Sequence, residues 1–130
     1  MASTVLLHDD FDAEFSALSE PLQDELLAHA KLLAEFGPQL GRPTVDTLKW
    51  SRHANMKELR FAWSREVWRV AFAFDPLRQA ILLVGGGKGG VDQRRFYRRL
   101  IAVADDRYDG HLASIEGTGS RESGHGKKAR

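Results

Sequence analysis

The sequence predicts an α+β domain in which an N-terminal helical hairpin and a C-terminal helix pack on a twisted antiparallel β-sheet. Three observations predict it. Apolar residues recur with helical spacing up to residue 37, alternate with strand spacing from 57 to 85, and return to helical spacing from 92. The 130 residues suit one core and are too few for two. Cysteine is absent, which excludes disulfides, thiolate metal sites and cysteine nucleophiles and suits a reducing, cytoplasmic setting. No apolar run approaches the roughly 18–20 residues that span a membrane. Residues 1–12 lack the basic start of a signal peptide.

Thr4-Val5-Leu6-Leu7 is a short β-prone run, a candidate first strand. Phe11, Phe15 and Leu18 follow at i, i+4 and i+7, the spacing of a helix over 10–18. Ser19-Glu20-Pro21 reads as an N-cap with proline in the first helical turn, where its missing N–H costs nothing. Leu22, Leu26, Leu27, Ala30, Leu33 and Ala34 then form one apolar stripe, and Gly37-Pro38 ends it. Residues 39–55 contain Gly41, Pro43, Ser51 and Asn55 and read mostly as loop. Strands are expected over 57–64, 67–75 and 79–85, joined by hairpin-length connections into an antiparallel meander. The third, Ala80-Ile81-Leu82-Leu83-Val84, is apolar on both faces and should be covered on both. A second helical pattern runs from Asp92, its cap, to about His111, with Phe96, Leu100, Ile101, Val103 and Ala104 inward. Residues 114–130 are rich in glycine, serine and charge and are expected to form a disordered tail behind a single domain of residues 1–113.

Alternation also assigns faces. Trp68, Val70, Phe72 and Phe74 share the core face of one strand, and Leu59, Phe61 and Trp63 that of its neighbour. Arg60 and Arg69 therefore fall together on the other face, amid alanines that leave a shallow concavity. Two arginines so placed suit a phosphate backbone; equally, each can pair with Glu58, Glu66 or Asp75 as ordinary sheet decoration. Residues 85–90, Gly-Gly-Gly-Lys-Gly-Gly, formally contain GxGxxG, but no βαβ unit follows, and Lys88 lacks the Ser/Thr of a P-loop. They read either as a flexible backbone able to approach an anion, with Lys88 as a point charge, or as a plain turn.

The five histidines show no metal-ligand spacing, and no cofactor is expected. His53, beside Arg52, Asn55 and Lys57, is a candidate acid or base, or a structural hydrogen-bonder. Tyr97, among Arg94, Arg95, Arg98 and Arg99, stacks on a base, exchanges a proton or packs half-buried. Trp50 and Trp63 could stack on bases, but Trp63 belongs to the core face and Trp50 reads rather as a loop anchor.

Charge is segregated. Residues 1–48 hold 2 basic and 9 acidic side chains, net −7; residues 49–113 hold 13 and 7, net +6. An anionic partner for the second part fits that distribution.

Three blocks in this order, Leu40-Gly41-Arg42-Pro43-Thr44-Val45-Asp46-Thr47-Leu48-Lys49, Ser51-Arg52-His53-Ala54-Asn55-Met56-Lys57-Glu58-Leu59-Arg60 and Trp68-Arg69-Val70-Ala71-Phe72-Ala73-Phe74-Asp75-Pro76, continue through Arg78–Val84 and Gln93–Tyr97 to about Leu112. Together they closely resemble the RelE/ParE superfamily toxins of the HigB, phage-derived type. The resemblance implies a RelE-like fold and the toxin of a type II toxin–antitoxin module that cleaves ribosome-bound mRNA without metal, the RNA 2′-OH attacking its adjacent phosphate. It implies Arg60 and Arg69 as a phosphate clamp, Lys57 and Lys88 as further basic site residues and Tyr97 as an aromatic site residue. Lys57 or His53 would be the base, with Arg52, Arg94, Arg95 and Arg98 along the RNA. The implied partners are a helix-turn-helix antitoxin, the ribosome and its message, and operator DNA for the antitoxin-bound complex. On the same fold, a gyrase-binding inhibitor of the ParE branch or a non-catalytic antitoxin-binding scaffold are the rival readings.

Overall fold

The computed structural model describes residues 2–117 together with Lys127 and Lys128. In chain order the elements are β1 (Val5–Leu7), α1 (Asp9–Ser16), α2 (Glu20–Phe36), a 3-10 turn (Gly37–Gln39), β2 (Val45–Thr47), β3 (Lys57–Trp63), β4 (Glu66–Phe74), β5 (Ala80–Gly87), α3 (Gln93–Gly117) and β6 (Lys127–Lys128). One sheet, ordered β2-β3-β4-β5-β1-β6, separates two cores. On one face, Phe11 of α1 and Leu22, Leu26, Ala30 and Leu33 of α2 pack on Leu59, Phe61, Val70, Phe72 and Leu82. On the other, Leu100, Ile101, Ala104 and Tyr108 of α3 pack on Ala71, Ala73, Ile81 and Leu83. Each buried leucine contributes about 1.5–3 kcal/mol.

The helix ends follow their expected chemistry. The Ser19 hydroxyl accepts from the Leu22 amide, Pro21 sits in the first turn, and Gly37 ends α2 at a φ of 60° that glycine adopts freely. Asp92 accepts from the Arg95 amide at 3.2 Å and so opens α3. The β3–β4 hairpin turns on two residues, Ser64 and Arg65, both left-handed, as in a type I′ turn. The β4–β5 turn is built around buried Asp75, whose carboxylate accepts from the Leu77 and Gln79 amides at 2.9 Å and faces His111 Nε2 at 2.8 Å.

Five expectations need correction, the last of them at glycines 85–87. The sheet is mixed rather than antiparallel: β1 pairs in parallel with β5, because the chain leaves β1 through α1 and α2 and the meander returns beside it. The stretch 39–55 contains a strand, β2, made by pairing Val45 with Leu59 and burying the valine, which local Gly/Pro composition conceals. The face carrying Ala71 and Ala73 is not open, since α3 lies across it. That helix continues to Gly117, so residues 114–117 of the expected tail are helical, and Lys127–Lys128 pair with β1; residues 118–126 and 129–130 of that tail lie outside the described residues.

Glycines 85–87 belong to β5 rather than to a flexible loop. A Cβ at Gly85 would meet the Trp68 ring at 2.8 Å, and one at Gly87 would meet Glu66 Oε1 at 2.8 Å and Trp68 at 2.9 Å. These glycines make room for the indole of the neighbouring strand.

Candidate functional site

Register puts Arg60 of β3 directly opposite Arg69 of β4, on one face of the sheet. Like charges so paired repel unless other groups answer them. One answer is Glu58, two residues along β3 on the same face and only 5% exposed. Its Oε1 lies 3.7 Å from Arg69 Nε and accepts a 2.9 Å hydrogen bond from the Tyr97 hydroxyl. The Arg69 guanidinium lies beneath α3, 5.4 Å from the Tyr97 ring centroid and 5.7 Å from that of Phe96, and also donates to the Val67 carbonyl. The buried Nε atoms of Arg60 and Arg69 find no hydrogen-bond partner among the described residues. Buried guanidinium nitrogens without an acceptor are costly, and these two lie beneath the sheet-facing side of the site rather than at its surface.

Burial pushes the Glu58 carboxyl above the usual carboxylate range; the Tyr97 hydrogen bond and then the charges of Arg60 and Arg69 pull against it. Burial, followed by the bond to Glu58, raises the Tyr97 phenol, so it stays protonated and donates. In its ionised form, a carboxyl whose pKa is raised by burial is a stronger base than a solvent-exposed one.

Glu58 and Tyr97 lie at the base of a groove of about 940 Å³. One wall is the turn after β2, Thr47, Leu48, Lys49 and Trp50; the other is the start of α3, with Asp92, Gln93, Arg94, Arg98 and Ile101. The turn is held to the far part of α3: the Ser51 hydroxyl and Arg52 amide donate to Asp105 at 2.5 and 3.1 Å.

The structure thus brings together Arg60, Arg69 and Tyr97 at one place, with Arg94 and Arg98 on the wall beside them. It does not bring the other candidates there. Alternation sets Lys57 on the opposite face, that of Leu59 and Phe61. His53 Nε2 lies 2.8 Å from Asp109, with its ring edge-on to Tyr108, and Arg52 pairs with the same Asp109. Both therefore tie the loop to α3. Lys88 donates back to the Val91 carbonyl, and in the loop read as able to approach an anion the Gly89 amide is taken by Glu66 at 2.7 Å. Arg95 is exposed on the outer side of α3 and is not part of the groove wall. Lys49 is a groove residue that the sequence did not single out, Glu58 was read only as a pairing partner for the arginines, and Trp50, read as a loop anchor, is instead 90% exposed on the groove. For Glu58 a signal existed, because the alternation that paired the arginines placed it beside them.

The family model described as "Phage derived protein Gp49-like" matches residues 13–109. A protein of Mycobacterium tuberculosis strain H37Rv named "Putative toxin HigB3" is 44% identical over 115 residues, covering 88% of this chain and 98% of the relative. A second, named "Putative toxin HigB2", from the same strain, is 43% identical over 107 residues, which is 82% of this chain and 53% of the relative; the chain thus matches about half of that protein's length. No solved structure matches the chain.

Proposed function

The chain belongs to the phage-derived Gp49-like family, and from that premise we propose that it is the HigB-type toxin of a toxin–antitoxin pair, acting in the cytoplasm as a metal-independent endoribonuclease on ribosome-bound mRNA. The names of its relatives support the toxin part, and with it an antitoxin as partner. The nuclease part rests on one observation: a buried carboxyl, Glu58, hydrogen-bonded to Tyr97 and flanked by Arg69 at the base of a groove walled by Lys49, Arg94 and Arg98.

In this reading Lys49, Arg94 and Arg98 hold the RNA backbone over the groove. Glu58 takes the proton from the 2′-hydroxyl as that oxygen bonds to the adjacent phosphorus. Arg60 and Arg69 balance the charge that builds on the phosphorane oxygens. The bond from phosphorus to the 5′ oxygen breaks. That oxygen takes the Tyr97 proton, and Tyr97 recovers one from Glu58. The products are a 2′,3′-cyclic phosphate and a 5′-hydroxyl, and the enzyme returns to its starting state. Glu58 replaces Lys57 and His53 as base, because those two point elsewhere. No specific observation favours gyrase binding or a non-catalytic scaffold.

The test is translation of a defined mRNA with purified ribosomes and the protein, with end-group analysis of the fragments. Cuts bearing 5′-hydroxyl ends, retained in EDTA and lost in Glu58→Gln, are the expected result. An intact message in the presence of folded protein overturns the nuclease reading.

A further inference from the structure

Trp50 combines two features that folding alone does not reward. Its backbone is left-handed, with φ 74°, a conformation glycine adopts freely and a bulky side chain does not. Its side chain is 90% exposed, so burial returns nothing for that strain. Trp63 and Trp68 behave as expected of tryptophan, packing against the core. A strained, exposed aromatic at the edge of a groove points from structure to function.

The turn presents this ring firmly. Leu48, two residues before it, is buried and its amide donates to the Met56 carbonyl at 3.0 Å. Ser51, the next residue, is hydrogen-bonded to buried Asp105. Trp50 is therefore the free crest of a turn anchored on both sides. It shares the groove with Lys49, Arg94 and Arg98, and with two acids, Glu58 on the floor and Asp92, the α3 cap.

An indole face beside three cations matches the chemistry of single-stranded nucleic acid, where bases stack on aromatic rings while cations follow the phosphates. We propose that Trp50 stacks on a nucleobase of the RNA strand in the groove and so positions the scissile phosphate over Glu58. The role of the base rests on the nuclease reading; the stacking itself is a binding claim that stands apart from cleavage. A peptide seated on the same ring is the competing occupant, and its cations would find fewer partners here than phosphates do.

The experiment uses the full chain and three variants, Trp50→Phe, Trp50→Ala and Trp50→Gly. Glycine relieves the left-handed backbone, so its melting temperature should equal or exceed wild type, which separates a binding loss from a folding loss. Binding is read with a 2′-O-methyl RNA oligonucleotide and an abasic oligomer of equal length, from tryptophan quenching and from anisotropy of the labelled strand. The KM for mRNA on programmed ribosomes is read in parallel. Stacking predicts quenching by the RNA that disappears in Trp50→Phe. It also predicts about tenfold weaker binding or higher KM in the Ala and Gly variants, most of it restored by Phe, and no difference among variants on the abasic strand. Quenching by RNA in a protein that cuts no mRNA would keep the stacking and remove the nuclease reading. If wild type is not quenched and Trp50→Gly matches it in both binding and KM, the proposal is overturned, whether or not the protein cuts mRNA.

Discussion

At the residue scale the account turns on Glu58 and Tyr97. A carboxyl whose pKa is raised on folding gives a stabilising contribution at low pH that is lost as pH rises through the raised value. Glutamine at this position keeps an acceptor for the Tyr97 hydroxyl but no charge. The melting temperature of Glu58→Gln minus that of wild type should therefore grow as pH rises above the ordinary glutamate range, readable by calorimetry. A difference that shrinks with pH would mean the carboxyl is held ionised. Tyr97→Phe removes the proposed proton donor and the bond to Glu58 while keeping the ring over Arg69; it should slow cleavage on the order of a hundredfold with the fold intact. The alternation of β3 and β4 was enough to place Arg60 with Arg69 and, read strictly, to remove Lys57 from their face. What it could not reveal is the hydrogen bond between Glu58 and Tyr97, two residues 39 positions apart, because that depends on how α3 crosses the sheet. Trp50 failed for a different reason. Apolar character predicts burial, which favours an anchor over a stacking ring, whereas the structure leaves Trp50 90% exposed.

At the scale of elements, local chemistry and tertiary packing divide the credit. Ser19, Pro21, Gly37 and Asp92 carry their capping signals in the sequence, so α2 and the start of α3 were legible to within a residue or two. The strand β2 and the parallel β1–β5 pairing were not, since each forms only against a partner distant in sequence. The two-residue turn Ser64-Arg65 adopts left-handed backbone without the asparagine or glycine that suits it. Replacing it with Asn-Gly should stabilise the protein by about 0.5–1 kcal/mol in urea titration. In contrast, Gly85→Ala drives a methyl into Trp68 and Val70 and should cost about 1–3 kcal/mol. A neutral result would show that the indole can move aside.

For the whole molecule, a net charge of +1 conceals the organisation that matters. The helices of the acidic first part, α1 and α2, cover one face of the sheet, and the basic groove opens beside α3 on the other. On the proposed reading, RNA in the groove would lie away from that acidic surface. With three groove cations meeting phosphates, log K for single-stranded RNA should fall with log salt at a slope of about −2, and Arg94→Ala should reduce that slope by about 0.7. The fold class and the arginine pair could be read from residue periodicity, while the groove could not, because its two walls come from separate segments joined through Asp105. The central claim is that Glu58 is the base of an RNA-cleaving site. It is tested most directly by the single-turnover rate at which saturating protein cuts mRNA on programmed ribosomes, wild type against Glu58→Gln. The account predicts a fall of at least about a hundredfold with ribosome binding unchanged; equal rates would contradict it.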